Sequence, residues 1–197
     1  MNDSTGSVSA TDRIRTAQAL YKQDRQQGLA ALNELFRAGH PPQPPLDGPY
    51  HGELVAVEIA PGVTQFVEGL ARLWMPWKGK YVMAANSQGD NIFGRGNRLI
   101  FRVLFPFYRS YIEYEPEAFR AFLFQTSITA GQVDPDRSVF KIDYDSPANP
   151  TLTIRPLIDE LVQVDEGIYL GKVHFKWWWG RRQMIGYFAL RARADRA

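Results

Sequence analysis

The chain has 197 residues, no cysteine, three histidines, 23 lysines and arginines against 21 acidic residues, and 13% aromatic side chains. The missing cysteine excludes disulfide scaffolds, thiol nucleophiles, Fe–S clusters and cysteine-based zinc sites. A net charge of +2 is too balanced for a protein that coats nucleic acid, and 45% hydrophobic residues supply the core of one domain rather than a disordered chain.

Residues 1–10 are polar and predict a disordered tail, with neither the basic nor the apolar stretch of a secretory leader. From 11 to 39 the composition turns helical and predicts an N-terminal helical arm. Ile14, Ala17, Leu20 and Tyr21, and then Leu29, Leu32, Leu35 and Phe36, recur near the helical period. Thr11 or Asp12 is placed to cap the start, Gly28 to divide the stretch, and Gly39 to take the left-handed position after the helix end. Pro41, Pro42, Pro44 and Pro45 then force an extended connector, after which a single β-barrel domain is expected over 46–197.

Beyond the connector the pattern changes to short extended runs. Residues 53–59 alternate polar or small with apolar side chains, as a half-buried strand does. Residues 64–74 predict a short helix with Phe66, Val67, Leu70 and Leu73 on one face. Further strands are expected at 80–84, 98–105, 109–114, 119–125, 138–144, 152–154, 157–164, 168–176 and 184–191, with glycine, proline, asparagine or aspartate in most gaps. So many strands with so few helices predict an α+β protein, mainly antiparallel β, its sheet curled into a barrel or sandwich behind the helical arm. The longest uncharged run, 121–133, is too short and polar to span a bilayer, so no membrane span and a cytoplasmic location are expected.

Four segments in this order resemble the GXWXG/DUF4334-like group of uncharacterised bacterial proteins. They are Gly48-Pro49-Tyr50-His51-Gly52, with tyrosine in the tryptophan slot, and Trp77-Lys78-Gly79-Lys80. Then come Asp143-Tyr144-Asp145 with the run from Pro156 through Asp159 to Asp165, and Tyr169-Leu170-Gly171-Lys172 with Gly186 to Arg191. The resemblance implies a calycin-like, that is lipocalin-like, barrel, and carries no activity with it. Physically, glycines flanking Tyr50 let a strand bend while the ring plugs a barrel end, and Gly171 marks a close approach inside an apolar strand.

Aromatics dominate 102–111 and recur as Phe119, Phe122 and Phe124, positions that line a barrel interior if the strands alternate. Trp177-Trp178-Trp179 before Gly180 reads as a hairpin tip: an aromatic wall at the barrel mouth, a membrane or partner contact, or core filling beside arginine. Aromatics interleaved with arginine also fit single-strand nucleic-acid platforms, which the near-neutral charge argues against. His51, Glu53 and His174 form a metal set only if the fold converges them, so no metal is expected. Nor is a cofactor, the alternative being haem on His174. Asp159, with Arg155 or Arg102 as partner, is a structural ion pair unless it opens on a cavity.

Two readings of function follow. In the first, the barrel binds a small apolar or aromatic molecule, with Tyr50, Trp77, Tyr111, Phe122, His174 and Trp178 as lining candidates. In the second, the same pocket is that of a cofactor-independent cyclase, isomerase or lyase, with Asp159 and Tyr144 as the acid/base pair. Whether the protein is an enzyme at all is open at this stage. A homodimer through the N-terminal helices is the expected assembly; no nucleic acid is expected as partner.

Overall fold

The computed structural model describes residues 8–58 and 76–193. The helix expected over 64–74 and most of the polar tail lie outside them. Two helices, α1 (Ala10–Gln23) and α2 (Arg25–Ala38), precede nine strands: β1 (Gly48–Val57), β2 (Trp77–Met83), β3 (Gln88–Gly94), β4 (Ile112–Glu115), β5 (Ala118–Ala130), β6 (Ser138–Asp143), β7 (Leu157–Asp165), β8 (Ile168–Lys176) and β9 (Arg182–Ala192). A short helix, α3 (Arg98–Leu104), lies between β3 and β4. The hydrogen-bonded order is β3-β2-β1-β9-β8-β7-β6-β5, and β5 returns to pair with β3. Eight antiparallel strands therefore close into a barrel, with β4 as an extra strand on β5. Closure removes the free sheet edges that an open sheet would present.

The helical arm differs from its expected details. Ser9, not Thr11 or Asp12, caps α1, its hydroxyl accepting from the Asp12 amide. The break falls at Asp24, whose extended backbone (φ −137°) ends α1 while its carboxylate caps α2 through the Gln27 amide. Gly28 sits within α2 instead, where a Cβ would lie 2.2 Å from the Tyr21 backbone. Its role is close helix packing, not a bend. Gly39 is not left-handed either: its φ is −78°, and a Cβ there would meet Val162 at 2.7 Å.

The arm's apolar stripe packs on the outside of the barrel. Ile14, Ala17, Leu32, Leu35 and Phe36 meet Val55, Val139, Val162, Leu170 and Tyr187. Burial of side chains such as Leu32 and Phe36 stabilises by about 1.5–3 kcal/mol each. The Tyr21 hydroxyl donates to the Val57 carbonyl at 2.6 Å and fixes α1 to β1. These faces are used on the chain's own barrel, so they are not free to join a second copy.

Several strands match expectation to within a residue or two, among them β6, β7, β8 and β9. Three stretches do not. Residues 98–105 are helical: Phe101 and Phe105, one turn apart, turn into the barrel while Leu99 and Val103 face solvent. Residues 152–154 form a turn, and β3 runs where no strand was expected. Gly171 marks neither a bulge nor the approach of another backbone: it makes room for a side chain, since a Cβ there would lie 2.2 Å from the Phe188 ring.

Candidate functional site

The barrel interior is an aromatic core built from Phe93, Phe101, Phe119, Phe122, Phe124, Phe188 and their neighbours. This apolar lining is interrupted where four polar side chains and an indole from β2 and β3 and from the β6–β7 side meet across the interior. Lys80, 2% exposed, directs its ammonium at the Asp159 carboxylate (2.7 Å), the Asn91 carbonyl oxygen (3.1 Å) and the Tyr144 hydroxyl oxygen. The Tyr144 hydroxyl lies 3.1 Å from the same Asp159 oxygen, and Trp77 Nε1 donates to Asn91 Oδ1 at 3.0 Å. The ammonium is also ringed by Trp77, Phe124, Tyr144 and Phe188, with ring centres at 5.1–5.5 Å.

Two local devices assemble this group. In β2 the pairing slips between Trp77 and Gly79, and Gly79 adopts φ +141°, where a Cβ would lie 1.9 Å from the Tyr50 carbonyl oxygen. This bulge turns Lys78 outward and brings Trp77 and Lys80, three residues apart, to the same inner face. In β5 the left-handed Phe122 (φ +63°) breaks the alternation, so that Phe119 and Phe122 both point inward. The Tyr108 hydroxyl accepts from the Phe122 amide at 2.7 Å and holds that conformation.

Electrostatics follow from burial. Loss of water pushes the Lys80 pKa down, and the adjacent Asp159 charge works against that shift. Burial, and then the Asp159 charge, push the Tyr144 phenol well above its usual range, so it stays a hydroxyl. The group thus brings together an amine whose charge burial disfavours and Asp159 sustains, the Asp159 carboxyl group and a phenol that keeps its proton, sharing hydrogen bonds in an apolar surround.

Beside it lies a cavity of about 50 Å³. Its polar wall is Trp77, Lys80, Asn91, Tyr144 and Asp159, and its apolar wall includes Leu54, Phe93, Phe122, Leu157, Val173 and Phe188. By volume this is room for a few heavy atoms. An apolar void of roughly 150 Å³ takes up benzene, so an aromatic ring enters this one only if side chains move.

Of the residues expected in the site, Asp159, Tyr144, Trp77 and Phe122 converge on the cavity. Four do not. Tyr50 pairs with Lys80 in the β1–β2 ladder, but its buried ring packs edge-on to Tyr169, ring centres 5.6 Å apart, and does not line the cavity. Tyr111 packs against Tyr108 outside the cavity. His174 alternates with the inward Val173 and so points to the outer face, where Nε2 lies 3.1 Å from a Glu160 oxygen. That position takes it out of the barrel interior. Trp178 is 82% exposed; the turn after β8 buries Trp177 in the core and turns Trp178 out.

Asp159 pairs with Lys80 rather than Arg155 or Arg102, Arg155 being held by Asp145. His51, Glu53 and His174 do not come together, and among the described residues no group of three or more histidine or acidic side chains is placed for a metal ion. The sequence reading missed Lys80 and Asn91. Lys80 lies in the quoted Trp77–Lys80 segment, where a buried role follows only once the Gly79 bulge is known; Asn91 lies in the strand that was not foreseen. No helix among the described residues is long and apolar enough to cross a membrane.

An eight-stranded closed antiparallel barrel with a helical arm on its outside is the class the coordinates define. No family model matches the chain, and no curated protein does. A solved structure does: a protein from Thermomonospora curvata shares the fold over 93% of this chain and 99% of its own, at 14% identity and a TM-score of 0.51. At that identity the likeness shows the fold alone.

Proposed function

We propose that the barrel binds a compact organic molecule in the cavity beside Lys80, with its polar end on the Lys80–Asp159–Tyr144–Asn91 group and its apolar part against Phe93, Phe122 and Phe188. The observation that carries this is the placement of a buried ion pair and a phenol on the wall of a void, where an all-aliphatic wall would pack better. A ligand oxygen competes with Asn91 Oδ1 or Tyr144 Oη for one Lys80 N–H, an exchange within a group already built to share protons. Aromatic ligands bind only with movement of the surrounding rings. The order of the four segments quoted above supports placing this barrel beside the GXWXG/DUF4334-like proteins.

Native mass spectrometry of the purified protein, followed by ligand-observed NMR with a panel of small carboxylates, carbonyls, alcohols and phenols, tests the reading. Binding that is lost in Lys80→Met with the fold retained supports it. No bound species and no saturable signal across the panel overturns it.

A second reading rests on the 3.1 Å approach of Tyr144 and Asp159. In it the pair acts as acid and base on the bound molecule, as a cofactor-independent isomerase, cyclase or lyase does. Turnover of a panel ligand that is abolished in Tyr144→Phe, with binding kept, separates it from simple binding.

A further inference from the structure

The three connections β3–β5, β6–β7 and β8–β9 leave the barrel at one end, as the pairs Gly94 with Ala118, Asp143 with Ile158 and Lys176 with Arg182 show. They carry nine of the twelve exposed large hydrophobic side chains among the described residues. Phe107 is 91% exposed and Leu152 78%, and the segments bearing them face each other across a groove of about 440 Å³. Leu99 and Val103 extend the apolar surface along α3, and Trp178 and Trp179 crown the β8–β9 tip. The tip is rigid rather than floppy: Trp179 stacks on the buried Trp177 at 5.0 Å with nearly parallel planes, and Trp178 stands edge-on to both.

Charge follows the same pattern. Arg102, Arg109 and Arg181 are exposed among these aromatics, and none forms an ion pair among the described residues. The carboxylates of the same connections are mostly committed, Glu113 to Arg98, Glu115 to Arg193 and Asp145 to Arg155, leaving Glu117 without an ion pair. At the opposite end the connections carry Asp134 and Asp136, both in ion pairs, with Arg137 beside them, and Asp165 and Glu166, which form no ion pair among the described residues; Val133 is the exposed large hydrophobic residue of those turns. The barrel is polar from end to end in charge and in apolarity.

From this we infer that the arginine- and aromatic-bearing end is a docking surface for an anionic lipid membrane, on which the protein lies without spanning it. Tryptophan and arginine together match the headgroup layer: the ring sits at the boundary of the acyl region while the guanidinium meets phosphate. A second copy is a poorer occupant, because a two-fold contact through this end brings unpaired arginines against each other with little carboxylate to offset them. The inference stands independently of any ligand in the cavity.

Flotation of the full chain with phosphatidylcholine vesicles, with and without phosphatidylglycerol, tests it. The expected result is binding to the anionic vesicles, weakened at high salt, and a blue shift of tryptophan emission on binding. Each of Arg102→Gln, Arg109→Gln and Arg181→Gln lowers the partition coefficient about fivefold. Phe107→Ser with Trp178→Ser, both on solvent-facing side chains, removes most of the binding while the circular dichroism is kept. Two results overturn it: no binding to anionic vesicles, or binding unchanged in the double variant. A concentration-dependent dimer that the double variant dissolves also overturns it, since the end is then a contact between copies.

Discussion

Two lysines of this barrel are buried to the same degree, 2% exposed, each paired with an aspartate and each set over aromatic rings. Lys80 points into the barrel at Asp159. Lys172, on β8, points outward under α2, where its ammonium meets Asp134 at 2.5 Å and Asn33 at 2.7 Å. Arg37 of α2 joins Asp134 from the other side and holds Asp136 at 2.8 Å. The outer group therefore ties three separate pieces, the arm, the 131–137 turn and β8, into one unit. The inner group crosses the barrel interior, joining Lys80 of β2 and Asn91 of β3 to Asp159 of β7 and Tyr144 after β6, and it borders a void. A buried ion pair is weak proof of function by itself. What marks the inner group as a candidate site is the unfilled space beside it.

That contrast is open to measurement. Asp134→Ala strips the buried Lys172 of its counterion, while Arg37 keeps Asp136, and it is expected to cost about 3–5 kcal/mol of stability. For a chain of this length that lowers Tm by roughly 10 °C or more. Asp159→Ala leaves Lys80 equally unpaired, yet the adjacent cavity admits water and burial already favours the neutral amine. The expected loss there is smaller, about 1–3 kcal/mol. Paired urea titrations of the two variants decide it, and equal losses would make the inner group a purely structural tie. Lys80→Met in turn leaves the buried Asp159 without its counterion, so it is expected to cost about 1–3 kcal/mol while it abolishes ligand binding.

Much of this arrangement was legible in the sequence, and the failures are physical. Strands β6 to β9 carry the two-residue alternation and are bounded by glycine, proline and aspartate, so local pattern and tertiary role agree. Strand β3 has glycines at 89 and 94 and puts Asp90 and Asn91 in its middle, which reads as loop. It is a strand because both polar residues find buried partners, Arg120 for Asp90 at 2.5 Å and the Lys80 group for Asn91. Those partners lie outside the local window, so no local pattern announces them. In 98–105 the apolar run suits either period, and only the Phe101–Phe105 spacing hinted at helix. Asp159, Tyr144 and Trp77 stood out through the quoted segments, whereas Lys80 needed the Gly79 bulge to join them. For His174, alternation alone gave two choices of face; the pairing of Val173 with Asp159 across β7 and β8 settles it outward.

The smallest effect expected is also the most specific to the inner group, because it rests on a phenol rather than on the lysines. Tyr144 is pushed well above its ordinary range, and Tyr108, which holds Phe122, is pushed up to about 12. In the unfolded chain both ionise near pH 10. A folded state that retains those protons is fully favoured below that pH and loses the advantage as pH rises through it. Urea midpoints measured from pH 8 upward should therefore fall once pH passes about 10. Tyrosinate absorbance should lag behind the count of exposed phenols until unfolding releases the rest. Tyr144→Phe removes one such proton, so its alkaline decline is shallower, although at neutral pH the lost hydrogen bonds cost about 1 kcal/mol. Tyr169, at the opposite end and only moderately shifted by burial, is the control: Tyr169→Phe leaves most of the decline in place. If Tyr144→Phe and Tyr169→Phe follow the same alkaline curve, the cavity wall is no more sealed from water than the barrel's far end, and the contrast between the two lysines loses its electrostatic basis.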